Sequence, residues 1–173
     1  MELRPYRESD VQRLAALANN LRVSRYLIDT FPYPYTQKDA SWWIGEGAHA
    51  NQAIARAIVI GDQLVGSVGL TPQQGWRSHI AEIGYWIGEP YWGRGIATWA
   101  LSTMTREAFE ERGYRRLIAP VLAPNAASAH VLEKCGYRLE GTLTEEVFKL
   151  GEFHDILHYA RNAPGSERRG NER

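Results

Sequence analysis

The sequence predicts one α/β domain built around a single mixed sheet, mostly antiparallel, with helices on its flanks. Two neighbouring β-like runs, 53–60 and 63–70, are joined by Gly61-Asp62, which is typical of an antiparallel hairpin. From residue 80 onward, β-like runs alternate with helical patterns, as in a sheet that is covered by helices. The 173 residues suffice for one domain with a substantial core, and they contain no internal repeat.

The N-terminal part is predicted to begin with a short strand at 3–5 and a helix. Ser9 or Asp10 can cap that helix, since both residue types accept hydrogen bonds from free N–H groups at a helix start. One face of the helix is apolar, with Val11, Leu14, Leu17 and Ala18 at helical spacing.

An aromatic loop, 31–35, follows with the sequence Phe-Pro-Tyr-Pro-Tyr. It is predicted to be stiff, because proline fixes its own φ angle and restricts the residue before it. The loop either plugs an edge of the core or forms a wall of a substrate pocket. Thr36 to Asp39 resembles a capping box and predicts the start of a helix that contains Trp42, Trp43 and Ile44. After the hairpin, 71–78 is a polar loop that contains Trp76.

The C-terminal part is predicted to alternate between strands and helices. A strand at 80–87 leads through a glycine-rich loop to a helix at 97–112, and Gly113 stands where a helix cap belongs. A short strand at 117–122 precedes a helix that starts at Pro124-Asn125 and ends before Gly136. Two last strands are expected at 137–147 and 154–160. The polar segment 161–173 is expected to be a disordered tail, so the domain is predicted to span 1–160.

Composition argues against several function classes. Lys plus Arg and Asp plus Glu are 20 each, so no basic excess predicts binding to nucleic acid or to an anionic membrane. No apolar run approaches the roughly 18 residues of a membrane helix. The single cysteine, Cys135, excludes an internal disulfide, and with no secretory signal pattern it favours a cytoplasmic protein. The five histidines show no metal-ligand spacing, so no metal is expected.

The stretch 91–97, Tyr-Trp-Gly-Arg-Gly-Ile-Ala, is the most informative in the chain. A strand, a glycine turn and a helix start place free N–H groups where the helix dipole favours an anion, which suits a phosphate or pyrophosphate. The pattern lacks the GxxxxGK of a P-loop, and its mid-chain position does not fit a dinucleotide-binding fingerprint. A structural turn without a ligand remains the alternative.

A second motif joins this loop in a recognisable order. Asn125, Ser128, Lys134 and Gly136-Tyr137 follow a strand, downstream of Trp92-Gly93-Arg94-Gly95-Ile96-Ala97. Together the two motifs resemble the GNAT superfamily of N-acetyltransferases over roughly residues 1–160. The resemblance implies acetyl-CoA as cosubstrate, with 92–97 on the pyrophosphate and the helix from Asn125 along the pantetheine arm. Arg94 and Lys134 could meet phosphates, although exposed basic residues are common at helix ends.

Two departures from the family pattern indicate a branch. Trp92 stands where many members have Gln or Arg, and Leu132 stands where many have a tyrosine that acts as general acid. Ser128 replaces the usual alanine. With the aromatic loop and Gly84-Tyr85-Trp86, this pattern looks like the branch of ribosomal-protein N-terminal acetyltransferases, whose members also include acetyltransferases of small amines and antibiotics.

The resemblance also implies catalytic roles. Glu82 is the candidate base, on the strand that leads to the glycine loop, unless it is a solvated strand glutamate. The region of Trp86 and Ile87 would donate a main-chain N–H to the thioester oxygen. Ser128 would donate to the leaving sulfur, unless its hydroxyl bonds back to the main chain. Asn125 would hold the pantetheine amide, cap its helix, or do both.

The predicted function is direct acetyl transfer from acetyl-CoA to a primary amine. A protein N-terminal amine is favoured over a small amine or antibiotic, and a non-catalytic module that senses acyl-CoA is the rival. The expected walls of the substrate pocket are the 31–35 loop, Trp76 and the last hairpin. Exposed aromatic residues could serve a homodimer or a substrate equally.

Overall fold

A seven-stranded sheet forms the centre of the protein, as seen in a computed structural model that describes residues 1–165. The strands are β1 (Glu2–Arg4), β2 (Ile54–Ile60), β3 (Gln63–Pro72), β4 (Ile80–Ile87), β5 (Arg116–Leu122), β6 (Arg138–Lys149) and β7 (Glu152–Asn162). Their order across the sheet is β1-β2-β3-β4-β5-β7-β6, and neighbours are antiparallel except for the parallel pair β4 and β5. The predicted mixed, mostly antiparallel sheet is confirmed.

Helices cover both faces of this sheet. The described residues form α1 (Val11–Ala18), α2 (Leu21–Ser24), α3 (Gln37–Gly45), α4 (Ile96–Glu110) and α5 (Ala126–Lys134). The larger core lies between the sheet and the helices α4 and α5, where Leu101, Met104 and Leu132 are fully buried. The smaller core lies on the opposite face, under α1 and α3, around Leu14 and Ala40.

Two helix starts show how local sequence shapes the chain. The capping box at α3 is confirmed, because the N–H of Asp39 donates to Thr36 Oγ1 and the N–H of Thr36 donates to the Asp39 carboxylate. The predicted cap of α1 by Ser9 or Asp10 is wrong. Asp10 stands at the start of α1 without a side-chain cap bond, because its carboxylate faces backward: it accepts from the Arg4 guanidinium at 2.7 and 2.8 Å in a buried pair and from the N–H of Arg7 at 2.8 Å.

The last two strands are longer than their apolar pattern predicts. β6 and β7 pair as far as Lys149 and Glu152, because each strand supplies the backbone partners that the other needs. β7 also continues to Asn162, beyond the expected domain end at 160. Arg161 donates to the carbonyl of Cys135 at 2.6 Å, so it belongs to the fold. Of the segment expected to be a disordered tail, 166–173 lies outside the described residues.

Candidate active site

A fork in the middle of the sheet defines the site. β4 and β5 pair only along 80–82 and 116–118, and the last rung joins Glu82 to Ile118. Beyond it, β4 remains paired with β3 and β5 remains paired with β7, so the two parallel strands separate from each other. The facing edges of these strands then hold backbone groups that a ligand lying in the fork can reach.

The glycine-rich loop lies just beyond the end of β4. Gly93 and Gly95 have φ angles of +73° and +72°, a conformation that side chains disfavour, and Gly95 is the N-cap of α4. Within the described part of the chain, the N–H groups of 93–98 meet no protein acceptor. Six free donors at the start of a 15-residue helix form a geometry that suits a phosphate or pyrophosphate.

Side chains around this loop act mainly on the loop itself. The indole N–H of Trp92 donates to the carbonyl of Ile87 at 2.6 Å, which ties the loop to the end of β4. The guanidinium of Arg94 lies over the Tyr91 ring at 5.4 Å and is exposed to solvent. Lys134 is exposed in the last turn of α5, about 13 Å along the helix from Asn125.

A cavity of about 520 Å³ opens beside the fork. It brings together four of the predicted site residues, Glu82, Trp86, Asn125 and Ser128. The others, Ile87, the 92–97 stretch and Lys134, do not line it. The cavity therefore joins the candidate base to the candidate sulfur donor, while the anion-binding loop lies outside its lining.

Glu82 is half-buried in the cavity lining, on a strand at the centre of the sheet. Burial raises the pKa of its carboxyl, because an apolar environment disfavours the charged form. Glu82 therefore does not lie on a sheet edge. A carboxylate of raised basicity that faces a cavity can take a proton from a bound ammonium group.

Ser128 meets a second hydroxyl that the sequence analysis did not assign a role. The phenol oxygen of Tyr85, from β4, lies 2.9 Å from Ser128 Oγ and 3.2 Å from the Ser128 carbonyl. Burial raises the pKa of Tyr85 to about 12, so the phenol keeps its proton at neutral pH. When Tyr85 donates to Ser128 Oγ, the hydrogen of Ser128 itself is left for a ligand.

Asn125 caps α5 and lines the same cavity. Its Oδ1 accepts from the N–H of Ser128 at 3.2 Å, so a bond from Asn125 to a ligand would use Nδ2. Leu132, where many GNAT members have a tyrosine, is fully buried and lines the cavity. Leu132 has no hydroxyl group to offer the cavity. Tyr85 and Ser128 supply hydroxyl groups there instead.

The predicted walls are partly right. Phe31, Pro32 and Tyr35 line the cavity, and Tyr35 also packs into the core under α1 and α3. Trp76 is not a wall, because the short 3-10 turn Gly75–Arg77 leaves its side chain 92% exposed. The last hairpin does not line the cavity either, since β7 pairs beyond β5, but Lys149 at its tip donates to the carbonyl of Leu27 in the wall.

Several residues that line the cavity were not predicted from the sequence. Tyr26, Leu27 and Ile28 form part of the wall without any regular pattern, and Trp42 and Trp43 reach it from α3. The concentration of aromatic residues near the capping box was the one available signal. Gly84 on β4 also lines the cavity, and the strand alternation that places Glu82 and Trp86 on one face could have identified it.

Residues 1–165 contain neither a metal-ligand cluster nor a membrane-spanning helix. The described chain holds no group of three or more His, Cys, Asp or Glu that could bind a metal ion. In the same residues, no helix is long and apolar enough to cross a membrane. That no metal takes part in the reaction remains a prediction.

Comparisons with known proteins agree with this geometry. The profile of the acetyltransferase (GNAT) domain matches residues 1–138. The ribosomal-protein-serine acetyltransferase of Escherichia coli (strain K12) is 30% identical over 100 residues, which cover 58% of this chain and 55% of that protein. The spermidine N(1)-acetyltransferase of Vibrio cholerae is 24% identical, over 90% of this chain and 89% of that protein. Matches to ribosomal-protein relatives span about half the length of those proteins.

A solved structure extends the likeness to nearly the whole chain. The ribosomal L7/L12 alpha-N-protein acetyltransferase in complex with coenzyme A superposes with a TM-score of 0.83 and 25% identity, over 93% of each chain. The profile match covers well over half of the sequence. The chain therefore belongs to the GNAT family and is an acetyl-CoA-dependent N-acetyltransferase, with ribosomal-protein acetyltransferases among its relatives.

Proposed function

We propose that the protein transfers the acetyl group of acetyl-CoA directly to the N-terminal α-amine of a protein or peptide. The observation that carries this proposal is the single cavity that holds Glu82 at the vertex of the fork and Ser128 at the start of α5. A base for the amine and a donor for the leaving sulfur then face one ligand space, as direct transfer requires.

The coenzyme side of the site is served mainly by the main chain. The free N–H groups of 93–98 bind the pyrophosphate, and the separated edges of β4 and β5 bind the amide groups of the pantetheine arm. Asn125 adds a side-chain amide at the start of α5. Trp92 holds the loop in place through its bond to Ile87 and need not touch the phosphates.

The transfer itself needs three actions from the protein. Glu82 removes a proton from the ammonium group, and the neutral nitrogen attacks the thioester carbon. Main-chain N–H groups near Trp86 and Ile87 stabilise the charge on the thioester oxygen. The C–S bond then breaks while Ser128, backed by Tyr85, donates a hydrogen bond to the departing thiolate. The nitrogen loses its second proton to that sulfur through solvent, which gives the amide and the CoA thiol. A free thiol has a pKa of about 8.5, so the thiolate leaves without a strong acid.

An N-terminal amine is favoured over a small polyamine for two reasons. Ribosomal-protein acetyltransferases are among the relatives in sequence and in structure. The cavity lining in the described residues includes the carboxylates of Asp39 and Glu82 but no larger acidic cluster that could hold a chain of several ammonium groups. A ribosomal acceptor would place the reaction in the cytoplasm.

The test is the release of CoA from acetyl-CoA, followed with a thiol reagent. One panel holds peptides with free alanine, serine or methionine N-termini, and the other holds small amines including spermidine. Release with the peptide panel supports the proposal, and mass spectrometry should place the acetyl group on the α-amine. Release with small amines alone would move the acceptor to that class, and release with neither panel, despite acetyl-CoA binding, would favour a sensor.

A further inference from the structure

We propose that the acceptor side of the cavity selects a peptide whose first residue has a large apolar side chain, in preference to alanine, serine or lysine. The inference rests on the proposed acetyl transfer to a peptide N-terminus and names the acceptor class of that same site. Three features of the cavity carry it: a recess in its floor, its aromatic walls and the distribution of charge.

The floor of the cavity contains a recess made by small residues. Ala55 on β2, Gly69 on β3 and Gly84 on β4 are paired in register, and all three line the cavity. Paired residues of antiparallel strands project from the same face of the sheet. Since Glu82 and Trp86 flank Gly84 at alternate positions on β4, they project from that face as well. The recess therefore lies between the candidate base and an aromatic wall.

Neither backbone conformation nor packing requires glycine at position 84. A Cβ atom added there would meet no atom within 4 Å, and the φ angle of Gly84 is not in the left-handed region. Glycine inside a strand weakens it and often marks a site where a ligand approaches closely. The open space above Gly84 is thus part of the ligand cavity.

Aromatic rings surround this recess. Phe31 lies between Tyr35 and Trp86, with ring centroids 4.9 and 5.8 Å away, and the ring of Trp86 meets it edge to face. Trp43 from α3 also lines the cavity. These rings offer an apolar side chain a desolvated surface, and the hydroxyl groups nearest the recess are those of Ser67 and Thr71, which flank Gly69 on β3.

The charge distribution provides for one ammonium group. Asp39 lines the cavity, but its carboxylate accepts from the N–H and the hydroxyl of Thr36 at the start of α3. The carboxylate of Glu82 has no hydrogen-bond partner among the described residues, and the lining within 1–165 contains no lysine, arginine or histidine. For a second ammonium group, as in lysine or a polyamine, the described lining offers one further carboxylate, Asp39, whose Oδ2 is already bonded to Thr36, and the rest of the acceptor side is largely apolar surface in which a charge is costly to bury.

Steady-state kinetics on the full chain test the preference directly. The acceptors are tetrapeptides that differ only in the first residue (phenylalanine, leucine, alanine, serine or lysine), with spermidine alongside. We expect kcat/KM for the phenylalanine and leucine peptides to exceed that for the alanine peptide about tenfold, mainly through a lower KM. Equal or higher kcat/KM for alanine, serine, lysine or spermidine would overturn the inference and leave acetyl transfer intact.

A matched pair of variants tests whether the preference for the first residue depends on the recess at Gly84. Gly84→Val fills the recess and should lower kcat/KM for the phenylalanine peptide about tenfold, while the alanine peptide loses less than about threefold. Gly141→Val is the control, because Gly141 is also a strand glycine with open space around it but lies on β6, outside the cavity. An equal loss for both peptides in Gly84→Val, at an unchanged melting temperature, would contradict the proposal.

If no acceptor peptide is acetylated, peptide affinities test the preference for a large apolar first residue. Isothermal titration of the CoA-saturated protein with the phenylalanine and alanine peptides measures recognition without transfer. Tighter binding of the phenylalanine peptide, lost in Gly84→Val, would support the inference even though the proposed function had failed. Equal affinities would overturn both.

Discussion

The proposed coenzyme side and the proposed acceptor side of the site are built from different parts of the chain. On the coenzyme side, the main contributions come from the backbone: the N–H groups of 93–98, the separated edges of β4 and β5, and the capped start of α5. On the acceptor side they come from side chains, which reach the cavity from α1, the 26–35 segment, α3 and three strands.

This difference separates the part of the site that is set by the fold from the part that is set by individual side chains. A backbone site depends on the fold and on a few glycines, so it tolerates Trp92 in place of Gln or Arg. A side-chain site changes with each substitution, so its aromatic lining carries information about the acceptor. Variants on the two sides should therefore affect different kinetic constants.

Glu82→Gln should have the largest effect. Removing a general base that contacts the amine typically costs 10²- to 10⁴-fold, and we expect a loss of about that size in kcat/KM for the acceptor. The KM for acetyl-CoA should change little, because Glu82 lies at the vertex of the fork and not along it. Initial rates at saturating acetyl-CoA provide the measurement.

The control for this prediction is Glu2→Gln, since Glu2 is an exposed strand glutamate on the edge strand β1. This variant should leave both kcat/KM for the acceptor and the KM for acetyl-CoA unchanged. Turnover that survives Glu82→Gln, with acetyl-CoA binding intact, would remove Glu82 from the role of base and strengthen the sensor alternative.

The fold was largely predictable because its signals are local. The Gly61-Asp62 turn, the Thr36 capping box and the glycine loop each lie within a few residues, and each predicted its element. The Arg4–Asp10 pair was not predictable, because it joins β1 to the start of α1 and only tertiary structure brings the two side chains together. The full length of β6 and β7 also depends on mutual pairing.

In the candidate site, too, residues with local sequence signals were predictable and residues that depend on tertiary contacts were not. Glycines and the Asn125 cap are visible in sequence, because helix starts and positive φ angles restrict residue type. Trp76 shows the opposite case: its residue type suggested a wall, yet its position in a loop leaves it in solvent. Tyr85 was missed because its partner Ser128 is 43 positions away in the chain.

Gly95→Val should have the second largest effect and should fall on the coenzyme side. A branched side chain at a φ of +72° costs roughly 1–2 kcal/mol and displaces the N–H groups of the loop. We expect the KM for acetyl-CoA to rise about tenfold, while the ranking of acceptor peptides is unchanged. Gly113→Val is the matched control, because Gly113 has a φ of +73° beyond the other end of α4. If Gly113→Val raised this KM equally, the effect would be one of stability alone.

Tyr85→Phe should have a smaller effect, confined to the leaving-group step. It removes a hydrogen bond to Ser128 worth about 1 kcal/mol, so kcat should fall about fivefold with little change in either KM. Ser128→Ala should fall at least as far, and the double variant should lose no more than Ser128→Ala alone. Tyr137→Phe, which removes a buried bond to Thr105 away from the cavity lining, controls for lost stability. Additive losses would mean that the two hydroxyl groups act independently.

The smallest effect concerns stability, and it tests whether the acceptor side is as apolar as its lining indicates. Burial raises the pKa of Glu82 in the folded protein, so folding is penalised once the carboxyl ionises. The penalty is absent below the ordinary glutamate pKa, grows as pH rises from there to the folded-state pKa, and is constant above it. Glu82→Gln should therefore melt at a higher temperature than the unmodified protein at pH 7, and the difference should vanish near pH 4. Thermal unfolding at both pH values measures it. An equal melting temperature at pH 7 would mean that water reaches the carboxylate freely, so the surroundings of Glu82 would be more hydrated than the lining indicates.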